Sequence, residues 1–166
     1  MPLILNGNNT PTAGAVAVGD GTTLAFTSAG TSGQLLQSNG ASAPSFTSTL
    51  TTLNLTNPTV TNYTETPFSA TPTSTITLAL TNGTVQIITL GGNVTITMPT
   101  ATSGKSFIMY LKQDATGSRT VTWSTVKWAG GTAPTITSTA SRQDILSFFA
   151  DGTNWYGVVV GQNYTP

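Results

Sequence analysis

Apolar and hydroxyl-bearing side chains alternate with a period of two through the second half of this chain. Segments 75–80, 94–98 and 121–123 carry an apolar residue at every second position, with threonine or another small residue between. This period is typical of β-strands that have one buried side and one solvent-facing side. No segment keeps a helical period for more than two turns, so the sequence predicts an all-β fold.

Three further segments are apolar on both sides. They are residues 107–111, 145–149 and 155–160, and a strand of this composition is either central in a sheet or meets another subunit. Glycine, asparagine and aspartate separate the strands, and Asp151-Gly152-Thr153-Asn154 between two hydrophobic runs is the clearest hairpin signal. Short strands with such turns predict an antiparallel β-sandwich, jelly-roll-like, over residues 66–166.

Charge divides the chain into two parts. Asp20 is the only charged residue among residues 1–64, whereas the other nine charges begin at Glu65. The first 48 residues have too little apolar mass to offset the backbone ordering cost of about 1–2 kcal/mol per residue. We therefore expect residues 1–48 to form an extended docking arm and residues 49–65 a stem or linker. The candidate docking residues are Leu3, Ile4, Leu5, Leu35, Leu36 and Phe46.

Composition excludes several classes of function. The chain has no cysteine and no histidine, which removes disulfides, thiolate nucleophiles and the commonest metal ligand. Five basic residues balance five acidic ones, and so few cations argue against nucleic acid and anionic membranes as partners. The sequence predicts no metal and no cofactor.

The amino terminus lacks the features of an export signal. Only three aliphatic residues follow one another there, with no basic residue before them, whereas a signal needs a basic start and an apolar run of roughly 7–15 residues. We expect a chain that is made and used in a cytoplasm, or assembled there, with no membrane insertion.

A catalytic carboxylate pair would have to come from Asp20, Glu65, Asp114, Asp144 and Asp151. Asp114 and Asp151 lie in predicted turns, where aspartate bonds its own backbone, and Asp144 begins a predicted strand. We expect these carboxylates to stabilise the fold rather than to act in catalysis, so we predict that the chain is not an enzyme.

Aromatic residues offer a candidate surface for stacking on sugar rings. Trp123 and Trp155 stand at alternating strand positions, which favours a place in the core. Trp128 precedes Ala-Gly-Gly in a predicted loop and is the first candidate for a surface contact, with Trp155 and Tyr156 as further candidates.

Pairs of the form Thr-x-Thr recur along the chain. They begin at Thr75, Thr95, Thr120 and Thr135. Ranks of threonine on a solenoid would suggest ice binding, but a solenoid requires a fixed period and these spacings differ. The pairs are expected to line the solvent side of a sheet or to meet a neighbouring chain.

Several motifs resemble modules of tailed-bacteriophage virion proteins. They are residues 30–46 (GTSGQLLQSNGASAPSF), 57–65 (NPTVTNYTE), 111–114 (LKQD), 117–123 (GSRTVTW), 126–134 (VKWAGGTAP) and 151–156 (DGTNWY). The resemblance covers most of residues 30–157 and implies a β-rich, homotrimeric component on the exterior of the virion, whose partners are its own copies and capsid or tail proteins.

The combined interpretation is a non-enzymatic structural protein. The short length favours a capsid decoration protein or a short head fibre that docks through its amino-terminal arm. The alternative is a tail fibre component or an adhesin for host surface glycans, and a hydrolase acting on such glycans is the weakest candidate.

Overall fold

The computed structural model describes residues 12–19, 24–50 and 53–166. The chain divides into two compact units, Met1–Thr59 and Val60–Pro166. The candidate docking residues Leu3, Ile4 and Leu5, and Asp20 among the carboxylates, lie outside the described residues.

The first unit contains two antiparallel hairpins in its described part. Strand β1 (Ala17–Gly19) pairs with β2 (Leu24–Phe26), and β3 (Leu35–Asn39) pairs with β4 (Ser42–Thr47). Gly40 closes the second hairpin with φ of 67°, a conformation that glycine adopts without a steric penalty. The arm therefore differs from the extended segment expected, because local turn residues fold it back on itself.

The second unit contains nine strands and two short 3₁₀ turns. The strands are β5 (Phe68–Ala70), β6 (Thr75–Thr77), β7 (Val85–Leu90), β8 (Val94–Thr97), β9 (Ser106–Gln113), β10 (Val121–Ser124), β11 (Val126–Trp128), β12 (Gln143–Ala150) and β13 (Trp155–Tyr164). The 3₁₀ turns are Leu80–Asn82 and Ala129–Gly131. The all-β prediction is confirmed.

Two sheets form from these strands. One has six strands in the order β11-β13-β12-β9-β7-β5, and the other has three in the order β10-β8-β6. From β5 to β10 the chain passes alternately between the sheets, and each strand lies parallel to the one two places before it. This part of the chain is a short two-sheet coil.

The predicted antiparallel, jelly-roll-like pairing is wrong for this coil. Only β12 pairs antiparallel, with β9 on one side and β13 on the other, and β11 joins β13 in parallel. A period of two assigns side chains to the two sides of a strand but leaves the direction of the neighbouring strand open. The glycine and asparagine signals between β6, β8 and β10 mark corners between sheets, not hairpins. The hairpin at Asp151–Asn154 is confirmed.

The Thr-x-Thr pairs of β6 and β8 lie in register, and β10 adds Thr122 and Ser124 to the same two rows. The ranks are Thr75, Thr95 and Thr122, then Thr77, Thr97 and Ser124. Unequal spacing therefore does not prevent these parallel strands from stacking, because loops of different length absorb it, but Thr120 of the third predicted pair lies before β10. The corners stack as well, since the Val94 amide donates to the Thr120 carbonyl at 2.9 Å.

Both sheets enclose a single hydrophobic core. It consists of Leu78, Ile88, Leu90, Val94, Ile96, Met98, Phe107, Met109, Leu111, Leu146, Phe148, Ala150 and Trp155. Phe107 stacks on Phe148 with ring centroids 4.6 Å apart and meets Trp155 edge to face at 5.2 Å. These contacts pack the side chains of β9, β12 and β13 against one another.

The predicted stem forms no regular element where it is described. Residues 53–65 lie in no strand or helix of the described chain, although threonine and valine favour extended backbone. The described residues also include no helix that is long and apolar enough to cross a membrane.

Candidate assembly surface

The six-stranded sheet has a second side, which points away from the core and which we call the outer face. Burial alternates along β7, β9, β12 and β13, so the residues between the core positions lie on this side. They include Val85, Ile87, Ile108, Tyr110, Ile145, Ser147, Phe149, Tyr156, Val158 and Val160, together with Thr89, Ser106 and Lys112 on β7 and β9. Most of them are apolar or aromatic.

Register aligns these side chains in rows across the sheet. Ile108 pairs with Val85 on one side and with Ser147 on the other, and Ser147 pairs with Val158. A neighbouring row joins Phe149 to Tyr156. Adjacent strands lie about 4.8 Å apart, so the rows form a continuous apolar surface that crosses four strands.

Ile108, Phe149, Tyr156, Val158 and Val160 of the outer face are exposed in the single chain, and the other apolar residues of the face are half-buried. Ile108 is 48% exposed, Phe149 51% and Val158 61%. A protein that remains monomeric rarely leaves a contiguous apolar patch of this kind in water. The face is therefore a candidate for burial against another protein surface.

Charged side chains border the outer face at two opposite edges. Glu65 lies at the β5 side, where it accepts a hydrogen bond from the Thr84 hydroxyl and lines a depression of about 250 Å³ together with Ile108 and Ser147. Lys127 lies at the β11 side, in register with Tyr156 and exposed. Lys112 also lies on this face, four residues beyond Ile108 on β9, whereas the row of Val85, Ile108, Ser147 and Val158 carries no charge.

A carboxylate fixes Tyr156 at one end of the face. The Tyr156 hydroxyl donates to Asp151 Oδ2 at 2.9 Å, and Asp151 Oδ1 accepts from the Thr153 and Asn154 amides at 2.8 and 2.7 Å. Because these bonds favour the ionised form, those from the two amides most of all, the pKa of Asp151 falls to about 2. The pKa of Tyr156 is raised by its bond to the carboxylate.

Two of the three aromatic residues proposed as surface contacts are held within the fold. Trp155 is 2% exposed and donates its indole N–H to the Pro99 carbonyl at 2.7 Å. Trp128 belongs to β11 and not to a loop, and its ring covers Gly157. The prediction that Trp155 is a surface contact is wrong, and only Tyr156 is exposed as expected.

Trp128 also meets two other rings of the core region. Its ring centroid lies 5.2 Å from Trp123 and 5.9 Å from Phe148, both in edge-to-face geometry.

We expect Trp128→Ala to lower the free energy of unfolding by about 3 kcal/mol, since it removes a large ring and leaves a cavity. Chemical denaturation of the variant measures this, and an unfolding midpoint equal to that of the parent chain would contradict it.

The carboxylates outside the outer face have structural partners. Asp114 pairs with Arg119 at 2.9 Å and accepts amide bonds from Thr116 and Gly117, and its pKa is lowered chiefly by the hydrogen bond from Arg119. Asp144 is buried on β12. The described residues contain no cluster of acidic, histidine or cysteine side chains able to hold a metal ion.

Asp144 joins three segments of the second unit. It accepts hydrogen bonds from the Thr137 amide and hydroxyl, both at 2.7 Å, from Gln162 Nε2 at 3.1 Å and from the Asn163 amide at 3.0 Å. The loop before β12 and the end of β13 are thereby tied to β12. The sequence placed Asp144 only at a strand start, since its partners are distant along the chain.

A family model matches residues 42–155, which is more than half of the chain, and its description reads "Putative phage tail fibre C-terminal domain". The chain belongs to this family. Membership confirms the resemblance to virion structural proteins and makes the chain a fibre-type component of a tailed-phage virion, associated with other virion proteins. No curated protein and no solved structure matches the chain significantly.

The family match spans most of the outer face. It begins at Ser42, the first residue of β4, and ends at Trp155, the first residue of β13. The outer face was visible in the sequence only as strands apolar on both sides. Which of those side chains stay uncovered could be read only from the assembled sheets.

The candidate docking residues of the first unit differ in exposure. Leu35 is 56% exposed and Leu36 46%, although they follow each other on β3 and point to opposite sides of the hairpin. Phe46 is half-buried against Gly30, where a Cβ atom would lie 2.6 Å from its ring. Whether these three residues dock on a partner remains a prediction.

Proposed function

We propose that this chain is a structural subunit of a homotrimeric phage tail fibre, in which three copies pack through their outer faces. The observation that carries this proposal is the outer face, whose exposed side chains are mostly apolar or aromatic. A homotrimer would bury all three outer faces at once. The three-stranded, threonine-lined sheet of each subunit would then face the solvent.

A trimer offers a physical benefit that one chain lacks. Burial of apolar surface contributes about 25 cal/mol for each Å² removed from water, and the row of Val85, Ile108 and Val158 supplies apolar surface of this kind. The buried side chains of the second unit already form a core of their own, so burial of the outer face would add to it.

We propose a tail fibre subunit rather than a capsid decoration protein, because the family is one of tail fibre domains. The first unit would dock on another virion protein through the exposed Leu35 and Leu36. An isolated two-stranded hairpin is marginally stable in water, so a docked partner would stabilise both hairpins. The assembled fibre would stand on the exterior of the particle.

The proposal includes no enzymatic activity. Asp114 forms an ion pair, Asp151 lies in a turn, Asp144 joins three segments, and Glu65 accepts a hydrogen bond from Thr84 at an edge of the sheet. We also do not extend it to glycan binding, since Trp128 and Trp155 are packed inside the fold and Tyr156 is bonded to Asp151.

The mass of the full chain in solution tests the proposal. Analytical ultracentrifugation of the purified 17.0 kDa chain should show a species of three chains at micromolar concentration. Hydrogen exchange should be slower on β9, β12 and β13 in this species than in diluted protein. A monomer at every concentration tested would contradict the proposal.

A further inference from the structure

The two edges of the outer face carry opposite charges, so one edge differs from the other. Glu65 lies at the edge formed by β5 and β7, and Lys127 lies at the edge formed by β11 and β13. Three strands, β13, β12 and β9, separate β11 from β7, so the two charges are far apart within one chain. This inference rests on the proposed trimer and concerns how its copies meet.

Glu65 and Lys127 stand at the same level along the strands. Glu65 shares its depression with Ser106 and Ile108, and Ser106 pairs with Phe149. Phe149 pairs with Tyr156, which in turn pairs with Lys127. A single row across the sheet therefore leads from the depression beside Glu65 to Lys127.

Neither side chain has an oppositely charged partner within the described residues of its own chain. The ion pair found there joins Arg119 to Asp114, and Glu65 is bonded to the hydroxyl of Thr84. Lys112 also lies on the outer face, but it is in register with Thr89 and Gln143, four residues beyond the Ile108 row. Each strand residue advances about 3.3 Å. Along the strand direction, Lys112 is therefore farther from Glu65 than the two charges of an ion pair can be.

We infer that the copies associate head to tail around a threefold axis along the strands, with Glu65 of each copy paired with Lys127 of its neighbour. A rotation about such an axis keeps every residue at its own level and brings unlike edges together. The three sheets would form the sides of a prism, with the apolar rows inside. Each of the three contacts between edges would contain one ion pair.

The ion pair would act on specificity as well as on affinity. Complementary charges across an interface set its register and disfavour arrangements that place like charges together. A pair at the border of an apolar interface is partly shielded from water, so salt screens it less than an exposed pair. The ion pair would thus favour this arrangement of the three copies over other arrangements that also bury the outer face.

Charge exchange in the full chain tests this inference. We expect Glu65→Lys and Lys127→Glu each to raise the dissociation constant of the trimer about tenfold or more, because like charges then meet at every edge. The double variant, in which both charges are exchanged, should restore most of the loss. Sedimentation at several concentrations measures the constants, and circular dichroism verifies that each variant is folded.

A matched double variant provides the control. Lys112→Glu makes the same charge change on the same face at another level, so it should not rescue Glu65→Lys. If the two exchanges at Glu65 and Lys127 are simply additive, or if Lys112→Glu rescues equally well, the inferred pairing is wrong while the trimer stands. If the parent chain is itself not a trimer, the proposed function fails instead.

Discussion

Replacing Val158 with aspartate is expected to convert the proposed trimer into folded monomers. Val158 is 61% exposed in the single chain and lies in the row of Ile108 and Ser147 on the outer face. In a monomer the new carboxylate remains in water and costs little. In the trimer it would be buried without a cation, at a cost of about 3 kcal/mol or more for each copy. Sedimentation velocity at micromolar concentration measures the change.

A threonine on the opposite side of the molecule supplies the control for Val158→Asp. Thr97 is exposed on the three-stranded sheet, has the shape of valine and also lies in a strand. Thr97→Asp should leave the mass of the assembly unchanged. If Val158→Asp keeps the mass and melting temperature of the parent, or if both variants dissociate alike, the outer face is not the interface.

Removal of the Asp144 carboxylate is expected to destabilise the second unit by about 3–5 kcal/mol. Asp144 is 2% exposed, and its oxygens accept hydrogen bonds from Thr137, Gln162 and Asn163. Alanine at this position would leave these partly buried donors without their acceptor, and a donor left unpaired and shielded from water costs about 1–3 kcal/mol. The free energy of unfolding in urea measures the loss. The end of β13 should show the largest gain in hydrogen exchange.

The exposed Asp151 offers the comparison for Asp144→Ala. Its carboxylate also accepts two amide bonds and one hydroxyl bond, but its turn is open to water. Water can replace those bonds, so Asp151→Ala should cost about 1 kcal/mol. An Asp144→Ala variant that is no less stable than Asp151→Ala would show that the buried network contributes little.

The positions of the strands were accessible from the sequence because side-chain alternation is a local property. The apolar runs within 107–111, 145–149 and 155–160 became β9, β12 and β13, and the Asp151 turn joins the last two as predicted. The direction of pairing was not accessible. Parallel strands meet through contacts between residues roughly 20 positions apart, such as Thr75 with Thr95, and no local signal specifies them.

The aromatic residues illustrate the same limit at the level of single side chains. Trp128 stands before Ala-Gly-Gly and has the local sequence of a loop residue, yet it packs on Trp123 and Phe148. Its burial depends on β11 lying beside β13, where Gly157 leaves room for the ring. Exposure of a side chain depends on every element that covers it, and those elements are far apart in the chain.

By itself, the sequence determined that the protein is all-β, that its charges begin at Glu65 and that its modules resemble those of phage virion proteins. Each of these follows from composition, from a period of two or from short motifs, which need no knowledge of contacts. The tertiary structure decided that β5 to β10 coil in parallel and that one side of the six-stranded sheet remains uncovered. Those outcomes depend on which distant strands become neighbours, because only the packed sheets show which apolar side chains the core can hold and which are left for a partner.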